Sequence, residues 1–272
     1  MIPNVLSIAG SDPSGGAGIQ ADLKAISANG AFAMAAVTAL TAQNTQGVSG
    51  IHLVPPAFVQ SQIDSVFDDI QVDAVKIGMI ADAEIAQAVA RTLARRDVPI
   101  ILDPVMIAKG GAALLQPDAV AVLRDALLPT AHVLTPNLPE AAHLLEADVA
   151  ATRDEMASQG QALCALGPRA VLMKGGHLSG PDSPDCLVTD DVVTWFEGPR
   201  MPTQNTHGTG CTLSSALAAQ LVKTNDIQAA VAAAKSYVAS AIAHADQLNV
   251  GSGHGPTHHF ASLYASHKET SS

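Results

Sequence analysis

Aromatic residues are scarce in this 272-residue chain: Phe, Trp and Tyr make up 3% of it, with a single Trp. A surface that stacks bases on aromatic rings is therefore not on offer. Positive charge is short as well, with 14 Lys and Arg against 25 Asp and Glu, a formal net charge of −11. No basic run occurs, which argues against nucleic acid as a partner. No apolar stretch reaches the ~18 residues of a membrane-spanning helix. The N-terminus lacks the basic and apolar regions of a signal peptide. Only three cysteines are present, Cys164, Cys186 and Cys211, at no metal-binding spacing. The expected setting is a reducing cytoplasm, away from nucleic acid and membrane.

Apolar residues are plentiful at 48%, mostly Ala and Leu. That is enough for one large α/β domain over residues 1–272, with a polar tail from about Gly251. Short apolar runs read as strands at Asn4 to Ala9, Ala33 to Leu40, Ile51 to Val54, Ala74 to Ile77, Pro99 to Leu102, His132 to Leu134 and Ala170 to Met173. Helical periodicity falls between them, at Ile19 to Asn29, after Pro55-Pro56, and at Asp82 to Arg95, Pro117 to Leu127, Pro139 to Leu145 and Arg153 to Leu166. Cys186 to Thr189 and Val192 to Phe196 read as a hairpin turning at Asp190-Asp191. A helix beginning at Cys211 and a long one from Ile227 to about Leu248 close the chain. Alternating strands and helices imply βαβ units and a mostly parallel sheet between helical layers.

Polar residues gather at strand ends. Gly10, Gln43, Asp103, Asn137 and Lys174 each end or follow an apolar strand. Ligands of open α/β sheets bind at the carboxyl ends of the strands, so these residues mark one edge as the site. The stretch from Asn205 to Leu217 adds a second device. Gly208, Thr209 and Gly210 hand over to a helix whose first turn has unpaired N–H groups and a partial positive charge. Glycines let a phosphate approach that backbone. Cys211 stands in the same turn, where the helix end is expected to lower its thiol pKa. Two nucleotide motifs are absent: Gly16 replaces the Lys of a P-loop begun at Gly10, and no GxGxxG occurs.

Five motifs carry a resemblance. They are Gly10-Ser-Asp-Pro-Ser-Gly-Gly-Ala-Gly-Ile-Gln-Ala-Asp22, Ala42-Gln-Asn-Thr45, Thr135-Pro-Asn-Leu-Pro-Glu-Ala141, Met173-Lys-Gly-Gly-His177 and His207-Gly-Thr-Gly-Cys-Thr-Leu-Ser-Ser215. In order and spacing the chain resembles the hydroxymethylpyrimidine/phosphomethylpyrimidine kinases of thiamine biosynthesis, in the ribokinase-like superfamily. The resemblance runs from about Val5 to Gly255-Pro-Thr-His-His-Phe260. It implies a three-layer α/β/α fold, use of ATP and Mg²⁺, and often a homodimer. It also implies an anion hole at Gly208, Thr209 and Gly210, with Cys211 as base.

On the same resemblance, Lys174, Asn137 and Thr209 meet ATP, and Glu140, Asn137 and Asp103 serve the metal. Gln43 would read the pyrimidine edge, because an amide matches a ring nitrogen beside an amino group. Asp22 would stand near the substrate hydroxyl, and Gly10, Met79 and Thr41 would line the pocket. Plainer readings stay open at this stage. Asp22 and Glu140 could be first-turn carboxylates, Lys174 a solvated loop lysine, and Met79 core packing. The histidines at 52, 132, 143, 244, 254, 258 and 259 read as surface or core. Rival functions are a pyridoxal kinase and a non-catalytic pyrimidine-binding regulator.

Overall fold

The structure, a computed structural model, describes residues 1–106, 117–190 and 192–264. Eight strands form the main sheet. These are β1 (Asn4–Ala9), β2 (Phe32–Val37), β5 (Ala74–Ile77), β6 (Ile100–Leu102), β7 (Val133–Leu134), β8 (Ala170–Lys174), β9 (Asp185–Thr189) and β10 (Val192–Phe196). Their order is β10-β9-β8-β7-β6-β5-β1-β2. Pairing is parallel from β2 through β8, and β9 and β10 add an antiparallel edge. The strands are short and apolar because both faces are covered.

One face packs on α2 (Pro56–Asp69), α3 (Ala83–Leu93), α4 (Pro117–Val122), α5 (Leu138–Leu145) and α6 (Arg153–Cys164), through residues such as Ile63, Val89, Leu138 and Leu163. The other face packs on α1 (Gly18–Ala28), α7 (Thr209–Thr224) and α8 (Ile227–Ala243), through Ile26, Leu217 and Val231. Polar caps start several helices: Asp82 accepts from Ile85 N–H, Asp226 from Gln228 and Ala229 N–H, and Thr152 forms a capping box with Glu155. The α/β/α layering expected from the sequence is present. Among the described residues no helix is long and apolar enough to cross a membrane.

Several boundaries differ from the sequence reading. The strand expected over residues 33–40 divides at Thr38. Its N–H donates to Ala9 O and its hydroxyl donates to Met79 O at 2.7 Å, which binds this residue to the main sheet. Beyond it the chain leaves as β3 (Ala39–Asn44) to pair with β4 (Gly47–Leu53) in a separate antiparallel sheet. The polar run after Leu40 is thus strand, not loop. The helix expected to Leu127 is α4 followed by a π-type turn over Leu123–Leu127. The last helix stops at Ala243.

The tail is also corrected. Thr257, His258 and His259 are buried, His258 N–H donates to Ala241 O, and Tyr237 Oη–H donates to His259 O at 2.9 Å. Of the expected hairpin turn, Asp191 lies outside the described residues.

An ion pair sits fully buried between the sheet and its helices. Lys76 Nζ of β5 donates to both oxygens of Asp22 of α1, at 2.9 Å each. Ser7 of β1 and Ser215 of α7 donate to the same carboxylate at 2.6 and 2.8 Å. Burial alone would pull the Lys76 pKa down. The charges of Asp22, Cys211 and Asp103 and the bond to Asp22 together outweigh it, and hold the ammonium above its ordinary range. Removing one partner of such a pair strands a buried charge. Lys76→Met should therefore lower stability by about 3–5 kcal/mol, read as a fall in the urea midpoint. Asp22→Leu combined with Lys76→Met should recover part of the loss.

Candidate active site

An open cleft of about 1520 Å³ runs along the carboxyl ends of the parallel strands. Its lining includes Gly10, Gln43, Asp103, Asn137 and Lys174, the five strand-end residues picked out by the sequence. Met79, Glu140, Gly208, Thr209, Gly210 and Cys211 join them.

The floor is the start of α7. Gly208 caps it at φ 75°, a left-handed conformation that favours glycine. A Cβ there would collide with the Gly16 carbonyl oxygen, so the two glycine-rich loops touch at this point. The helical ladder begins with Thr212 N–H donating to Gly208 O at 2.8 Å. The amides of Gly210 and Cys211 precede it and precede any i−4 acceptor, which leaves them for an anion. Thr209 differs. Its N–H approaches Thr206 O at 3.4 Å and its hydroxyl donates to the same oxygen at 2.6 Å. A Cβ on Gly210 would come within 3.3 Å of Lys174 Nζ, so a side chain at that position would crowd the lysine against the floor.

Lys174 is not a solvated, mobile lysine. Its ammonium donates to Asp103 Oδ1 at 2.8 Å and lies 3.8 Å from Glu140 Oε2. Asp103 is fixed in turn by Thr135, whose hydroxyl donates to Oδ1 at 3.1 Å. Asn137 and Glu140 form a capping box at the start of α5. Asn137 Oδ1 accepts Glu140 N–H at 2.9 Å, and Glu140 Oε2 accepts Asn137 N–H at 2.7 Å. Asn137 therefore commits to the helix cap the oxygen that a metal would use, while its amide NH₂ keeps its donors for a phosphate. Burial, offset in part by Lys174 and reinforced by Asp103, pushes the Glu140 carboxyl up to about 7.

Two expectations about substrate residues fail. Asp22 does not face the cleft, because its oxygens are consumed beneath the floor by Lys76, Ser7 and Ser215. Thr41 does not line the cleft either. Its hydroxyl oxygen lies 2.9 Å from Ser11 O and 3.2 Å from Gln43 Oε1, supporting Gln43 from behind. Gln43 enters the cleft from β3 beside a bulge, where β4 places the extra residue Ser49 opposite Ala42 and Gln43. Met79 both packs in a small cluster with Ala39 and Ala81 and lines the cleft. His143, read as surface or core, is a lining residue.

The Cys211 thiol also departs from expectation. Burial pushes it up to about 11, and the nearby Asp22 and Asp103 add to that, while Lys76 and the Gly18 amide pull the other way. The helix end does not overcome desolvation. The sequence reading missed two residues altogether, Asp12 and His207. They form a buried pair at 2.8 Å in the cleft wall. The adjacency of His207 to Gly208 was the available signal.

A family model described as phosphomethylpyrimidine kinase matches residues 12–258. The chain belongs to that family. It is 54% identical over 258 residues to the hydroxymethylpyrimidine/phosphomethylpyrimidine kinase of Escherichia coli, covering 94% of this chain and 97% of that one. The phosphomethylpyrimidine kinase of Clostridium difficile matches in structure with a TM-score of 0.79 and 41% identity, over 88% of this chain and 99% of the other. The Bacillus subtilis pyridoxal kinase, solved as an ADP complex, matches with a TM-score of 0.89 and 34% identity, over 97% and 99%. The fold is ribokinase-like, and the protein is a kinase of this family.

For such a kinase the cysteine's protonation is decisive. In a Cys164→Ser, Cys186→Ala background, thiolate absorbance of Cys211 should rise only well above the ordinary thiol range, near pH 11. A midpoint at neutral pH would restore a standing thiolate.

Proposed function

We propose that the protein transfers the terminal phosphoryl group of ATP to the hydroxymethyl group of 4-amino-5-hydroxymethyl-2-methylpyrimidine. It then phosphorylates the resulting monophosphate to the pyrophosphate, for thiamine diphosphate biosynthesis. The carrying observation is that the α7 amides, Lys174, Asp103, Glu140 and Gln43 open into one cleft at the strand ends.

Phosphoryl transfer depends on positioning and charge neutralisation more than on covalent help. The Gly210 and Cys211 amides receive the oxygens of the group in flight. Lys174, pinned by Asp103, supplies a point charge beside them. Among the described residues no three His, Cys, Asp or Glu side chains group to cage a metal. Asp103 and Glu140 nonetheless fit Mg²⁺, which binds through one or two carboxylates together with nucleotide phosphates. A Mg²⁺ ion held by these two carboxylates would supply charge neutralisation at the phosphates. ATP's base takes the apolar wall of Leu213, Val238 and Ile242 at the far end. Gln43 presents an amide to the pyrimidine's ring nitrogen and amino group.

Cys211 keeps its proton at neutral pH. It acts by its place under the acceptor hydroxyl; as the oxygen–phosphorus bond forms and the bond to ADP breaks, the hydroxyl's proton passes late to an oxygen of the transferred phosphoryl group, as a loose transition state allows. The same reading sets one catalytic domain in the cytoplasm as a homodimer. The exposed Leu40 and Ile51 of the β3–β4 sheet are the candidate contact.

Gln43→Ala should raise KM for the pyrimidine about tenfold and leave KM for ATP nearly unchanged in steady-state assays. Equal effects on both would remove Gln43 from substrate reading. Because pyridoxal kinases share the fold, kcat/KM should be compared for both acceptors, and the aminopyrimidine should win.

A further inference from the structure

We infer that His207, held by Asp12, fixes which way round the Gln43 amide stands, and so sets the donor–acceptor pattern offered to the acceptor substrate. The inference rests on the pyrimidine reading above for its substrate, but not for its geometry.

Asp12 is saturated with donors. Its Oδ1 accepts Ser14 N–H at 2.9 Å and Ser14 Oγ–H at 2.6 Å, and its Oδ2 accepts Ala17 N–H at 2.8 Å. His207 Nε2 lies 2.8 Å from the same Oδ2. Burial would raise the Asp12 carboxyl, but the bonds from His207 and Ser14 and the His207 charge hold it below its ordinary value. An ionised carboxylate only accepts. The proton of the contact therefore sits on His207 Nε2.

That nitrogen has a second neighbour, Gln43 Nε2 at 3.4 Å. Two N–H groups facing each other cannot bond. Turning the amide by half a revolution places Oε1 against His207 Nε2–H. The same turn brings the NH₂ to Thr41 Oγ1, now 3.2 Å from the amide oxygen. Thr41 is free to accept there, because its own proton goes to Ser11 O at 2.9 Å. The single Nε2 proton is then shared, its main bond to Asp12 Oδ2 at 2.8 Å and its longer arm to the Gln43 oxygen, and no contact sets donor against donor. The terminal torsion of glutamine is broad and roughly two-fold, so the amide has no orientation of its own. His207 supplies it.

The imidazole is itself clamped. A Cβ on Gly16 would collide with the ring, Pro256 packs over the same glycine, and His207 N–H donates to Gly255 O at 3.0 Å. His207 is thus a positioning residue acting through Gln43. The 4-amino edge of the pyrimidine presents an acceptor beside a donor. The 4-oxo analogue presents the reverse, a carbonyl beside a ring N–H. A fixed amide suits one and opposes the other, whereas a free amide turns to suit either.

Two measurements decide. Nitrogen NMR of the histidine-labelled full chain, without substrate, should show His207 protonated at Nε2. A bare Nε2 accepting from the Gln43 amide would overturn the inference. In steady-state assays His207→Phe should lower the kcat/KM preference for the 4-amino over the 4-oxo acceptor about tenfold, with KM for ATP moving much less. Unchanged preference in folded His207→Phe also overturns it. Should the wild type use neither acceptor, the substrate reading fails, while the nitrogen measurement still decides the role of His207.

Discussion

Everything in the cleft stands on a buried charge pair beneath it. Lys76 and Asp22 are both fully excluded from water, where isolated charges are very costly. They persist because each satisfies the other and because Ser7 and Ser215 complete the carboxylate's shell. Those four residues come from β5, α1, β1 and α7. The pair therefore fixes the two helices that open at the cleft against two neighbouring parallel strands of the sheet. The α7 amides proposed to receive phosphate are placed by this junction. The same lysine is the main cation felt by Cys211 from below.

The two ends of the cleft are built differently. At the phosphate end charge is concentrated, with one ammonium between two carboxylates and helix-end amides facing them. At the substrate end neutral polar groups do the work, and the charged Asp12 is turned inward to hold a loop and a ring. The first arrangement suits a multiply charged donor that must be attracted. The second suits a heterocycle that must be distinguished from its neighbours.

Much of this was readable in the sequence. Apolar strands ending in Gly10, Asp103, Asn137 and Lys174 foretold which edge of the sheet would open into the cleft, because strand period and strand-end polarity are local properties. The division at Thr38 was not readable, since a threonine within an apolar run continues a strand as easily as it ends one. Asp22 was misplaced because a carboxylate early in a helix looks the same whether it faces a ligand or a lysine far along the chain. The helix end at Cys211 was legible, but the desolvation that overrides it depends on packing from other elements. The stretch after Gly251 is polar in composition and yet partly interior, since Thr257, His258 and His259 are buried and the two histidines are tied to Ala241 and Tyr237.

That last stretch has a consequence for biosynthesis. The glycine-rich loop after β1 is made well before the segment that seats against its neighbour His207 at Gly255 and Pro256. Strands and helices of the nascent chain can assemble in order as they leave the ribosome. The wall of the cleft at His207 is complete only when residues some two hundred and forty positions downstream of that loop have been made.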